Sequence, residues 1–177
     1  MSSADAWFVP IRQDFPPGRY KGFARAAIEL PQAQHGKCCD LQLMIDTGSP
    51  YTLLYDGDFL DVVKKLGFKP WFGTYRRLLP WVQSRTTSFP AVDRLLTPAG
   101  ETNDVFQVNG SKVWILEQTT GVRSLPRDLG PVYGTFTQVF LDSRGAKNPL
   151  YSVLGRDALN RLTSLHWAYP NAIRFTC

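Results

Sequence analysis

The stretch from Leu43 to Leu54, LMIDTGSPYTLL, constrains this chain more than any other. Three apolar residues run into Asp46-Thr47-Gly48-Ser49, then Pro50 and Tyr51, and a second apolar run begins at Leu53. A short apolar run bounded by turn residues reads as a buried strand. A carboxylate at the end of such a strand is costly unless it is hydrogen-bonded or used. Two readings compete. In one, Asp46 is a turn residue bonding its own backbone, and Gly48 supplies a positive φ. In the other, the carboxylate carries chemistry. Turns normally lie at the surface, whereas apolar residues press on this motif from both sides, and that favours chemistry.

The flanking segments say what the motif is built into. Before it, CCDLQLMID alternates and then becomes apolar, as in a strand passing from a half-exposed position into the core. After it, DGDFLDVVKKLGF places Phe59, Val62, Val63 and Leu66 at helical spacing, with Asp56 or Asp58 as candidate cap and Gly67 as candidate stop. GFARAAIEL, VYGTFTQVFLDS, PLYSVLG and NAIRFTC read as strands. DVFQVNGSKVWILEQ reads as two strands about an Asn109-Gly110 hairpin turn. The Pro-broken, aromatic KPWFGTYRRLLPWVQ reads as short strands. GRDALNRLTSL reads as a short helix with Ala158, Leu159, Leu162 and Leu165 on one face. Residues 1–20, with three prolines, read as an extended arm, and residues 21–177 as one domain.

Composition removes several alternatives. The formal net charge is +5, but the basic residues are dispersed and no run of five like charges occurs. The segments WFGTYRR and LLPWVQSR place aromatics among arginines, a pattern suited to stacking on single-stranded nucleic acid. An aromatic core segment explains them better, and nucleic acid is not the expected partner. Cys38, Cys39 and Cys177 are odd in number and lack a C-x-x-C spacing, and His35 and His166 stand alone. No metal or other cofactor is expected, and reduced thiols suit a cytoplasmic protein. The start, MSSADAWFVP, lacks a basic region followed by an apolar stretch, so no secretory leader is expected. No apolar run approaches the length of a membrane span, so no membrane partner is expected.

A second motif gives the first its meaning. In YSVLGRDALNRL, the apolar pair Val153-Leu154 meets Gly155 and enters a helix through Arg156-Asp157. An apolar-apolar-Asp-Thr-Gly-Ser segment followed downstream by apolar-apolar-Gly-Arg-Asp resembles the retropepsin-like aspartic proteases, the single-domain relatives of retroviral proteases. The resemblance implies an all-β fold: a closed acid-protease-like β-barrel with a short C-terminal helix, here with one inserted helix. It implies an aspartic endopeptidase without cofactor, acting on extended polypeptide at apolar or aromatic sites. The chemistry needs two carboxylates sharing one proton, because like charges that close cannot both ionise. Asp46 is the only Asp followed by Thr-Gly or Ser-Gly. The pair therefore requires a homodimer, each copy lending the same patch about a two-fold axis.

The resemblance also assigns roles. Asp46 is the catalytic residue, general base in one copy and general acid in the other. Thr47 bonds across the dimer. Gly48 lets the backbone turn and offers its N–H to the carboxylate. Ser49 either bonds the outer carboxylate oxygen or caps the turn. Gly155 lets the helix segment approach the loop closely. A flexible hairpin covers the substrate in this family, and its tip is expected at Thr97, Pro98, Ala99 and Gly100, with SRTTSFPAV and TTGVRSLPRDLG as alternatives. The chain departs from the pattern in two ways. Insertions lie at 55–90 and 117–131, and Ser49-Pro50-Tyr51 stand where viral relatives carry acids that pair with the arginine of the second motif. Arg156 then needs another partner, Asp157 or the terminal carboxylate, and the arm with IRFTC offers an interleaved dimer sheet in place of that ionic contact. These departures support an alternative in which the fold is kept as a catalytically silent dimerisation or peptide-binding module.

Overall fold

The alternating strand before Asp46 forms as its pattern requires. The computed structural model describes residues 3–7, 21–31, 39–69, 75–96, 100–117, 120–123, 128–142, 150–168 and 172–176. Strands β2 (Phe23–Glu29) and β3 (Cys39–Ile45) pair antiparallel, with Phe23 opposite Met44 and Ile28 opposite Cys39. On β3, Cys39, Leu43 and Ile45 are buried while Asp40 and Gln42 face solvent. The Cys39 side chain packs in the core.

The strands flanking Asp46 are held apart by a third. β9 (Val153–Leu154) runs parallel to β3, with Met44 opposite Val153 and Ile45 opposite Leu154. Its other edge pairs antiparallel with β4 (Leu53–Tyr55), Leu53 opposite Val153. β4 then pairs parallel with β8 (Tyr133–Thr135), β8 antiparallel with β6 (Thr102–Gln107), and β6 antiparallel with β5 (Ala91–Leu96). At the far side β7 (Lys112–Ile115) pairs with β2. The eight-stranded order is β5-β6-β8-β4-β9-β3-β2-β7. A separate three-stranded sheet joins β1 (Ser3–Trp7), β11 (Ala172–Thr176) and β10 (Ser164–Ala168), with β11 in the middle. Within this one chain, therefore, part of the N-terminal arm pairs with the C-terminal strand.

The sheet is not closed into a barrel, which corrects the expectation of a closed one. The end strands β5 and β7 do not pair. The Asn109-Gly110 turn does form, with Gly110 at φ 72° and Ser111 N–H donating to Val108 carbonyl, but its strands part to different neighbours. It is a corner rather than a hairpin. Residues 129–132 fill the opening: Leu129 N–H and Gly130 carbonyl bond to Val113, and Val132 carbonyl accepts from Val108 N–H.

Strands outnumber helices, yet there are more helices than expected. α1 (Asp56–Lys65) buries Phe59, Leu60, Val62 and Val63 and stops at Gly67, φ 108°. Neither Asp56 nor Asp58 caps it. Asp56 sits at φ 42°, and its buried carboxylate accepts from Thr137 N–H at 2.7 Å and from Thr137 hydroxyl. α2 (Tyr75–Gln83) replaces the short strands expected there, in spite of Pro80. Burial of Leu78 and Val82, four residues apart, outweighs the hydrogen bond that proline removes. VYGTFTQVFLDS is a strand only as far as Thr135. Thr137 hydroxyl then accepts from Phe140 N–H and starts α3 (Gln138–Asp142). The last helix, α4 (Arg156–Leu159), is a single turn, and Leu165 belongs to β10 instead of its face.

The large sheet has two apolar faces. Leu54, Phe106 and Leu154 point into the main core beneath α1. Their neighbours Leu53, Val105 and Val153 point the other way, under half-buried Met44, Tyr51, Tyr55, Leu95 and Tyr133. This second face crosses β5, β6, β8, β4, β9 and β3, and the Asp46 loop stands at its margin.

Candidate active site

The backbone of the Asp46 loop is fixed from below. Asp46 N–H donates to Leu154 carbonyl at 3.1 Å, which continues the β3–β9 ladder into the motif. Ser49 N–H returns to Asp46 carbonyl at 3.3 Å, closing a tight turn. The first N–H groups of α4 have no partners within their own helix. The loop supplies them: Arg156 N–H donates to Ser49 carbonyl at 2.9 Å and Asp157 N–H to Pro50 carbonyl at 3.3 Å. Gly155 sits in the mouth of the loop, where a Cβ would fall 2.1 Å from Tyr51 carbonyl oxygen. Only glycine fits there, because the obstructing atoms are backbone.

Thr52 joins the two segments through its side chain. It is fully buried; its hydroxyl accepts from Gly155 N–H at 3.3 Å and donates to Asp157 Oδ1 at 2.8 Å. Asp157 Oδ1 also accepts from Ala158 N–H at 2.8 Å, while buried Oδ2 has no hydrogen-bond partner. Burial pushes the Asp157 carboxyl above the usual carboxylate range, and the donors from Thr52 and Ala158 only partly offset this. Asp157 is thus not paired with Arg156, and Arg156 makes no ion pair among the described residues. The terminal carboxylate lies outside them.

Asp46 itself is half-buried, and Thr47 and Gly48 are exposed, so in a single chain the motif reaches the surface. Gly48 N–H donates to Asp46 Oδ1 at 2.8 Å. The φ of Gly48 is not left-handed, contrary to the simple turn reading. A Cβ at this position would approach Asp46 Oδ1 to 3.1 Å, a tight contact that the carboxylate would have to relieve by a small shift. Ser49 hydroxyl donates to Tyr51 carbonyl at 2.8 Å and so stiffens the turn. Thr47 hydroxyl has no partner among the described residues. Tyr55 lies in the field of the motif: burial first, then the negative charges of Asp46 and Asp56, push its phenol up.

Of the hairpin expected to cover the site, strands β5 and β6 are present and Gly100 takes φ 83° in the turn between them. Thr97, Pro98 and Ala99 lie outside the described residues. The sequence reading missed Thr52 and Asp93. The signal for Thr52 was there: it is the one polar residue leading the apolar run after Tyr51. Asp93 gave none. Among the described residues no group of three or more His, Cys, Asp or Glu could hold a metal, and no helix is long and apolar enough to cross a membrane.

No family model and no curated protein matches the chain. Among solved structures it is similar to a retropepsin-like aspartic protease from Rickettsia conorii, at 13% identity and a TM-score of 0.47, over 98% of this chain and 92% of that one. The functional reading rests on the local geometry around Asp46.

Proposed function

We propose that the chain is an aspartic endopeptidase whose dyad is Asp46 from each of two copies. The observation that carries this reading is the Asp46 carboxylate on a braced loop at the surface. Among the described residues it takes one N–H bond, from Gly48, and has lone pairs to spare. The exposed Thr47 and Gly48 are the residues a second copy would cover, and the free Thr47 hydroxyl is available to bond across the axis.

In such a pair one carboxylate is ionised and the other neutral. The ionised one takes a proton from a water whose oxygen attacks the scissile carbonyl carbon. The neutral one gives its proton to the carbonyl oxygen. The resulting diol collapses as a proton passes to the amide nitrogen, the C–N bond breaks, and the dyad returns to one shared proton. The apolar face bearing Tyr51, Tyr55 and Tyr133 beside the loop suits a polypeptide with apolar or aromatic side chains.

Asp46→Asn tests the proposal. Cleavage of a peptide library should vanish, while dimer mass in solution stays the same. Folding stability should shift by no more than about 0.5 kcal/mol, since the amide oxygen still accepts from Gly48. Undiminished cleavage by this variant, or a monomer that cleaves, rejects the dyad. A mildly acidic optimum is expected, because one proton must be shared. Binding of a pepstatin-like inhibitor without turnover of any peptide would favour the silent binding module instead.

A further inference from the structure

The edge strand β5 carries a device that the catalytic reading does not use. Ala91 stands opposite Phe106, but the next matched pair is Asp93 opposite Val105, so Val92 is an extra residue in a β-bulge. A regular register would put Val92 on the face shared with Val105 and turn Asp93 away. The bulge exchanges them. Val92 is left exposed, and Asp93 joins the second apolar face together with Leu95.

A specific partner meets Asp93 there. Tyr51 hydroxyl donates to Asp93 Oδ2 at 2.9 Å, and Asp93 Oδ1 accepts from Arg94 N–H at 2.7 Å. Tyr51 is itself fixed on three sides. Its carbonyl accepts from Ser49, its backbone lies against Gly155, and its ring packs on Tyr133 at 4.6 Å between centroids. The bond to Asp93, with some burial, pushes the Tyr51 phenol up, as expected for a donor bound to a carboxylate. Among the described residues, β5 makes no other hydrogen bond beyond itself and the adjoining segment that contains β6.

We propose that the Tyr51–Asp93 hydrogen bond is a latch between the Asp46 loop and the edge strand of the β5–β6 hairpin: β6 is held by its ladder to β8, and the latch sets where β5 lies beside the loop that carries the carboxylate. Tyr51 and Asp93 are positioning residues: neither reacts, and both fix how the hairpin meets the chain lying beside Asp46. The kinetic consequence rests on the peptidase reading. The mechanical one does not.

Tyr51→Phe keeps the ring on Tyr133 and removes only the hydroxyl, and Asp93→Ala removes the acceptor. Amide hydrogen exchange in β5 should speed up about fivefold in each variant while β2 and β3 keep their protection, the scale of one hydrogen bond lost. Each variant should raise KM for a peptide about tenfold with kcat within about twofold, and the double variant should do no more than Asp93→Ala alone, which also gives up the bond from Arg94 N–H. Unchanged exchange in the Tyr51→Phe variant, or effects that multiply in the double variant, overturns the latch. A wild-type protein that cleaves no peptide defeats the peptidase reading, and the exchange measurement still decides the latch.

Discussion

Asp46 and Asp157 meet at the same crossing of the chain, and the structure uses them in opposite ways. Asp46 follows β3 and receives one N–H, from Gly48, at the surface. Asp157 opens α4 and receives Thr52 hydroxyl and Ala158 N–H on one oxygen, while the other oxygen is buried without a partner. Both residues are half-buried, but Asp157 is tied into the architecture through one oxygen, whereas Asp46 keeps lone pairs that no described residue fills. The difference follows from what lies beside each. Gly48 adds no side chain to cover Asp46, whereas Thr52, buried at the head of β4, brings a hydroxyl against Asp157. The loop that carries Asp46 and the start of α4 close on each other only because Gly155 has no side chain between them.

Breaking that closure has the largest expected effect. A Cβ at position 155 would meet backbone atoms of Tyr51 at 2.1 and 2.3 Å, which no rotamer change relieves. Gly155→Ala should cost about 3 kcal/mol or more and lower the melting temperature by about 10 °C. A calorimetric scan showing a loss of only a degree or two would mean that the crossing opens easily. Thr52→Val sharpens the comparison instead. It preserves shape but strips a partner from Gly155 N–H and from Asp157 Oδ1, and should cost about 2 kcal/mol in denaturant unfolding. In an Asp157→Ala background the same change should cost less, since the Thr52–Asp157 hydrogen bond is already gone. Full additivity of the two substitutions would separate Thr52 from Asp157.

How far the sequence revealed this site depends on which force does the work. The strand before Asp46, the helix carrying Phe59, Val62 and Val63, and the strand ending at Gly155 were legible because apolar period alone specifies them. The close fit of Gly155 was legible as an expectation of the resemblance and is seen as a backbone contact. α2 was not, because Pro80 and its aromatic neighbours mask the spacing of Leu78 and Val82 that the core selects. β8 and α3 merged into one strand because Thr137, a helix cap, reads equally well as an alternating polar residue. The Asn109-Gly110 turn was legible, but whether its two strands pair with each other is decided by distant partners. The Asp93 latch was invisible: it depends on a bulge at Val92 that reverses which side chain faces the loop.

The smallest expected effect isolates Asp157 through its titration. Burial raises the carboxyl of Asp157 above its ordinary value of 3.8, so the folded state holds this proton more tightly than the unfolded chain does. The sign follows from linkage. Below 3.8 both states are protonated and the group's contribution is fully present. As pH rises from there through the raised folded value, the unfolded state ionises first and stability falls, and above that value the loss is complete. Asp157→Asn cannot ionise, yet its side-chain oxygen still accepts from Thr52 and Ala158. Its melting temperature should match the wild type in acid and exceed it at neutral pH, with a flatter profile between. Two profiles that run parallel across the acid range would show that the orphaned oxygen costs the folded state nothing, and the contrast with Asp46 would then lie in their hydrogen bonds alone.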